Sequence, residues 1–337
     1  MTTLDQYQVK RSSRISLTAG VVGLLVVVAL VCAPLWASRA DLRLLSEVFQ
    51  YLALAYLWNL LAGYAGLVSV GQQAYVGLGG YSLFALCMLA GVPPMLAVPL
   101  AGAVAAVVSI PVAFLIFRLR GAYFAIGTWV IAEVFRLSFA QWSKMGGGSG
   151  TSLPAGIVKS IASSRSARES YTYWLALGLV CFTLLCVYLL LRSRHGLALT
   201  AIRDNELASE SVGISIWRTK FLVYVATAAM TASIGAMIFL QKLRISPDAA
   251  FSVNDWTAFI IFIVVIGGIG SIEGPLIGTI LYFLLRGLLA DQGTLYLLVL
   301  GSIAIIIMIW APQGIWGLIK LRFQVELFPL TYRVRKH

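Results

Sequence analysis

The chain has 337 residues, 60% of them apolar and 11% charged, with a formal net charge of +12. Soluble domains average about 25% charged residues, so a water-soluble enzyme or nucleic-acid binder of this size would lack the polar side chains to cover its surface. The basic residues fall in short segments between long uncharged runs, which is the charge pattern of a polytopic membrane protein.

Uncharged runs and their polar breaks predict ten spans, at about residues 15–36, 44–64, 72–91, 95–117, 122–141, 173–191, 221–240, 257–270, 276–290 and 295–311. The first follows Lys10, Arg11 and Arg14. It is longer than the roughly 7–15 residues of a signal-peptide core and long enough to cross about 30 Å of hydrocarbon, so it is read as a retained span. The eighth and ninth are short, and glycines punctuate Gly267 to Gly278. With the third, they are open to being complete, broken or re-entrant helices. The four cysteines lie in apolar stretches, and the only histidines are His195 and His337, so no metal-ligand spacing exists.

Ten spans put both termini on one side. With that side inside, the inner segments hold 15 of the 25 basic residues and the outer segments 8, which places both termini in the cytoplasm. The expected organisation is a cytoplasmic segment 1–14, a membrane domain 15–317 and a cytoplasmic tail 318–337. An irregular external loop occupies 142–171, and a second long connection, 192–220, lies inside. Within that inner loop, Asp204 or Asn205 can cap a helix with Glu206 in its first turn, and Gly213 is a natural stop. Two short amphipathic helices follow, 197–203 and 205–212, with Leu207, Ala208 and Val212 on one face and Glu206 and Glu210 on another. Two acidic residues on one face suit a protein partner better than an anionic bilayer surface.

The segment from Gly196 through Ala201, Ile202, Arg203, Asn205, Glu206, Ala208 and Glu210 to Gly213 and Ile214 resembles the cytoplasmic coupling loop of ABC importer permeases of the branched-chain amino acid, LivM-type family. Ser209 replaces the usual alanine. Four further stretches resemble the same family in the same order: Asn59 to Gly71, Arg118 to Ile126, Ile266 to Pro275 and Ala311 to Gly317. Gly71-Gln72-Gln73 stands where the family has Gly-His-Ala, and Ala122 stands where an acidic residue or proline is common. The resemblance covers about residues 45–320.

It implies an all-α inner-membrane permease subunit that is not an enzyme and holds no cofactor. ATP and Mg would be bound by two cytoplasmic ATP-binding subunits, a second related permease would complete the pore, and an external solute-binding protein would deliver a branched-chain amino acid. Related permeases carry urea or short amides, and these remain alternatives. The chain has no Gly-Lys pair, hence no phosphate-binding loop of its own. The coupling residues are then Arg203, Asp204, Asn205, Glu206, Leu207, Ala208, Glu210 and Gly213.

For the pathway the candidates are Asn59, Ser69, Gln72, Gln73, Tyr123, Glu133 and Arg136. Glu133 and Arg136 are three apart on one helix face. They form either a self-neutralising pair or a contact for the charged ends of a zwitterion. The glycines from Gly63 to Gly80 serve close helix packing or a helix break. Arg286, near a span end, needs only to snorkel. An ion-coupled secondary transporter would need a free buried carboxylate, for which Glu133 is the central candidate.

Overall fold

The computed structural model describes residues 7–10, 14–162, 164–289, 294–323, 327–328 and 333–336. Arg11 and His337, and parts of the expected terminal segments 1–14 and 318–337, lie outside the described residues. Strand β1 (Tyr7–Lys10) precedes α1 (Arg14–Val31), α2 (Arg39–Asn59), α3 (Gln72–Leu89), α4 (Pro94–Ile116) and α5 (Ala122–Ala140). Strand β2 (Thr151–Ser152), α6 (Ala155–Ile161), α7 (Arg165–Arg192), α8 (Arg194–Asp204), α9 (Glu206–Ser211) and α10 (Ile216–Lys242) follow. The chain ends with β3 (Arg244–Ile245), α11 (Pro247–Ala250), α12 (Phe259–Gly267), α13 (Glu273–Leu289), α14 (Thr294–Trp310), α15 (Gly314–Phe323) and β4 (Arg333–Lys336). Each of the ten expected spans has a helix over most of its length. Among the described residues, eight helical segments are long and apolar enough to cross a membrane; α3 and α13 are outside that set.

Helix α2 is the central element. Ser38 and Asp41 close a capping box at its start, with the Ser38 amide donating to Asp41 Oδ2 at 3.1 Å and the Asp41 amide donating to Ser38 Oγ at 3.3 Å. From Phe49 onward most of its side chains are buried, against α7, α10, α12 and α13. Helix α1 instead leaves Val21, Leu24 and Leu25 exposed, the environment that lipid supplies. Its last carbonyls are not orphaned: Tyr173 Oη donates to the Leu30 carbonyl at 2.7 Å and Trp174 Nε1 to that of Val31 at 3.1 Å, both from α7. Helices α3 and α10 pack where small residues remove the side-chain barrier. A Cβ on Gly79 would overlap the Ala232 carbonyl, and one on Gly235 the Val76 backbone.

Two helices are broken. Beyond Asn59, α2 widens into a π-helical turn (Leu60–Tyr64), and residues 65–71 leave the helix before α3 starts. A second π-helical turn (Asn254–Ala258) leads into α12, which stops at Gly267; residues 268–272 turn into α13, with Gly268 and Gly270 at φ of 132° and 74°. The third and ninth spans are therefore helices that start at a break, and Gly270 serves a tight turn between two helices.

The segment 142–171 differs from the irregular loop expected. It contains α6 and the strand β2, which pairs antiparallel with β3 (Thr151 with Ile245). Helix α7 starts at Arg165, eight residues before the sixth span as read from hydropathy. Ser164 caps it by accepting the Ala167 amide at 3.1 Å. Its first two turns carry Arg165, Arg168 and Glu169, charges that interrupt an apolar run without interrupting a helix. At the chain's ends, β1 pairs antiparallel with β4, Tyr7 opposite Lys336, which brings both to one end of the bundle.

Candidate functional site

Helix α7 runs directly into the 192–220 loop, where Ser193 Oγ accepts the His195 amide at 3.1 Å and opens α8. Leu199 and Ile202 are buried, so α8 is seated on the bundle. Asn205 is the cap of α9, its Oδ1 accepting the Ala208 amide at 3.0 Å, and Gly213, at φ 85°, ends the segment. The two helices, 194–204 and 206–211, match the expected pair within three residues at each end. Helix α9 stands proud: Leu207 is 80% exposed and Val212 75%, while the buried position is Ser209. Glu206 is ion-paired with Lys220 of α10. Glu210 makes no ion pair among the described residues.

Arg203, at the end of α8, reaches into the bundle. Its Nη1 donates to the Gly63 carbonyl, inside the α2 π-turn, at 2.7 Å, and its Nε donates to Asp204 Oδ1 at 2.9 Å. Gly66, at φ 69°, lies in contact with the Arg203 stem, a conformation that disfavours any side chain there. Asn59 joins the two breaks. It is 2% exposed; its Nδ2 donates to the Ser271 carbonyl at 2.7 Å, and its Oδ1 accepts the Gly270 amide at 2.8 Å. A Cβ on Gly63 would come within 2.6 Å of the Gly270 nitrogen, so the backbones of the two breaks touch. One arginine of the loop and one asparagine of α2 thus tie three segments that are far apart in sequence.

The remaining motifs gather around the same point. Thr128 Oγ1, on α5, accepts the Val70 amide at 3.0 Å and holds the 65–71 segment from the other side. Trp58 Nε1 donates to the Ser69 carbonyl at 2.8 Å, and Ser69 Oγ accepts the Gly71 amide at 3.2 Å. A Cβ on Gly314, at the start of α15, would overlap Gly268. Between the loop and the start of α5 lies a cavity of about 790 Å³, lined by Gly66, Arg120, Phe124, Glu206, Glu210 and Lys220 among others. All five motif stretches therefore meet at one end of the bundle.

The pathway candidates do not converge. Asn59, Ser69, Gln72 and Gln73 are buried beside the breaks. Gln72 Nε2 donates to the Leu54 carbonyl at 3.1 Å, and Gln73 Oε1 accepts from the Thr257 hydroxyl; Gln72 Oε1 and Gln73 Nε2 have no partner among the described residues. Tyr123 is exposed at the start of α5. Glu133 and Arg136 lie toward the opposite end, where Arg136 Nε meets both Glu133 oxygens at 2.9 and 3.0 Å and Arg136 Nη1 meets Asp248 Oδ1 at 2.8 Å. The pair is self-neutralising, and with the Glu133 side chain 44% exposed it is not a buried charge. Arg286 is anchored rather than snorkelling, with Nη1 2.6 Å from Glu47 Oε1. Trp58, Thr128 and Gly314 were missed as site residues. Their roles run through single hydrogen bonds or backbone contacts across long sequence separations, which no local pattern encodes.

An all-helical, multi-pass membrane protein whose broken helices gather beneath a protruding loop is the class these observations define. The chain belongs to the family described as branched-chain amino acid transport system / permease component, whose model matches residues 42–309. It is similar to the high-affinity branched-chain amino acid transport system permease protein LivM of Salmonella typhimurium, 29% identical over 304 residues that cover 84% of this chain and 71% of that one. The Escherichia coli protein of the same name is 29% identical over 317 residues, 87% of this chain and 74% of its own. A probable branched-chain amino acid transport permease protein LivM of Methanocaldococcus jannaschii is 30% identical over 123 residues, 35% of each chain. No solved structure matches the chain. As a member of this family with multiple apolar helices, it is a multi-pass inner-membrane protein.

Proposed function

We propose that this chain is one of two permease subunits of an ABC importer for branched-chain amino acids. Two cytoplasmic ATP-binding subunits drive the importer, α9 docking into a groove on the ATPase; a second related permease completes the pathway, and an external solute-binding protein delivers the amino acid. The observation that carries the reading is the Arg203 bond to Gly63, which connects an exposed loop helix to a broken transmembrane helix. Force applied to α9 reaches α8 through Asn205 and the α2 break through Arg203; Asn59 passes it to the α12–α13 turn. Nucleotide binding then favours one permease state by its different affinity for the loop in each. The chain supplies no catalysis and no nucleotide site of its own.

The pairing of β1 with β4 supports an even number of crossings, ten, with both ends on the loop's cytoplasmic side. Exposed Leu207, Ala208 and Val212 form the apolar centre of the ATPase contact, and Glu206, Glu210 and Asp204 its polar rim. The ion-coupled alternative loses its carboxylate, because Glu133 is held by Arg136. Co-purification tests the reading: the chain expressed with its partners emerges with two ATP-binding subunits, and leucine uptake needs them. Urea uptake in place of leucine uptake would reassign the solute and leave the architecture standing.

A further inference from the structure

At the end of the bundle opposite the loop, a cavity of about 550 Å³ opens between the starts of α2 and α7, the end of α10 and Trp256. That volume is in the range of small-molecule sites. Six charged side chains line it: Arg43, Arg165, Arg168 and Lys242 against Glu47 and Glu169. Their pairing is uneven. Glu47 is committed to Arg286 at 2.6 Å. Glu169, with its side chain 8% exposed, has Oε1 held by Arg43 and 3.4 Å from Arg165 Nε, while its Oε2 is buried with no hydrogen-bond partner among the described residues. A buried carboxylate oxygen without a donor is unfavourable and calls for one.

Lys242 is the counterpart. Its ammonium lies 4.7 Å from the centre of the Trp256 ring, and among the described residues it has no carboxylate within 4.0 Å; Arg168 has none either. The rest of the wall is mixed, with Leu42, Ile238 and Leu243 beside Trp256 and the uncharged polar side chains of Ser46, Gln50, Thr172 and Gln241. The cavity lining therefore carries one carboxylate oxygen without a donor, two cations without a carboxylate within 4.0 Å, and an apolar patch around Trp256. A plain anion leaves Glu169 Oε2 unmet, and a plain cation meets an excess of positive charge.

We propose that this cavity binds an aliphatic α-amino acid as its zwitterion, the ammonium donating to Glu169 Oε2, the carboxylate accepting from Lys242 and Arg168, and the side chain lying along Trp256. The site rests on the amino-acid importer reading above and assigns to it a place where the solute is held on this chain. The docking of an acidic surface of a delivering protein is the competing use of the two cations.

The test uses the complete transporter complex in nanodiscs without any solute-binding protein, titrated calorimetrically with L-leucine, with leucinamide, which lacks the carboxylate, and with 4-methylpentanoate, which lacks the ammonium. The wild type binds leucine, and binds each analogue at least about tenfold more weakly. Lys242→Gln, at an exposed side chain whose loss leaves no carboxylate unpaired, weakens leucine about tenfold or more and abolishes the preference over leucinamide. Glu169→Gln abolishes the preference over 4-methylpentanoate. Absence of leucine binding to the wild type at millimolar concentration overturns the site, as does unchanged affinity in Lys242→Gln. Weaker docking of the loaded binding protein to Lys242→Gln, with leucine affinity unchanged, overturns it in favour of a protein contact. Leucine uptake by the wild-type importer is measured in parallel: its absence refutes the functional reading, whereas normal uptake with an unaltered Lys242→Gln titration refutes this site alone.

Discussion

Replacing Arg203 by Ala removes the one side-chain hydrogen bond that joins the exposed loop to the α2 break among the described residues. The lost bond is charge-assisted, at 2.7 Å to a backbone carbonyl. Such bonds contribute about 1.5–3 kcal/mol, and leaving a buried acceptor unmet costs about 1–3 kcal/mol. The Arg203 side chain is 36% exposed, so water compensates part of both, and about 2 kcal/mol is a reasonable net figure. At about 1.4 kcal/mol per factor of ten, coupling weakens roughly thirtyfold. The assay is a proteoliposome carrying the whole importer, with labelled leucine uptake and ATP hydrolysis measured on the same preparation. ATP hydrolysis persists in the Arg203→Ala importer, while leucine moved per ATP falls by roughly that factor. Arg203→Lys, which keeps the charge but loses the planar fork shared between Gly63 and Asp204, falls between the two. An Arg203→Ala importer with wild-type melting temperature and a wild-type ratio of leucine to ATP would refute the linkage.

Asn59→Ala removes both bonds that join the breaks and leaves the Gly270 amide and Ser271 carbonyl unmet. A loss of about 2–4 kcal/mol, seen as a lower melting temperature in detergent, is expected with reduced uptake. Gly235→Leu forces α10 away from α3 at the Val76 backbone and lowers the melting temperature or prevents insertion; overpacking of this kind costs about 1–3 kcal/mol or more. Leu207→Asp, at a side chain that is 80% exposed, leaves the melting temperature unchanged and abolishes co-purification of the ATP-binding subunits. Reversing Glu206 and Glu210 together to Lys abolishes uptake in a protein that still inserts; Glu210 acts through the partner contact alone, whereas Glu206 also gives up Lys220.

The elements that sequence made legible are those governed by local rules. Uncharged run lengths located the helices, and Asn205 and Gly213 bounded the loop helix because cap and stop chemistry act within a few residues. The start of α7 was misplaced because its first turns carry Arg165, Arg168 and Glu169, with Arg165 and Glu169 in contact one turn apart, so polarity ceased to mark the helix boundary. The candidate site was legible as separate motifs but not as one place. The Asn59–Gly270 and Arg203–Gly63 contacts bridge more than a hundred residues each, and a glycine-rich run reads the same whether it packs, as at Gly79, or breaks, as at Gly66. The 550 Å³ cavity was invisible for a related reason: Glu169 and Lys242 sit on different helices and look like ordinary charges at span ends.

In the proposed function, this permease moves solute only when outside subunits drive its protruding loop. The direct measurement is labelled leucine uptake into vesicles reconstituted with and without the two ATP-binding subunits, with ATP on the side of the loop. Uptake that requires both the subunits and ATP is predicted. Uptake that continues in their absence, following an imposed ion gradient, would contradict it.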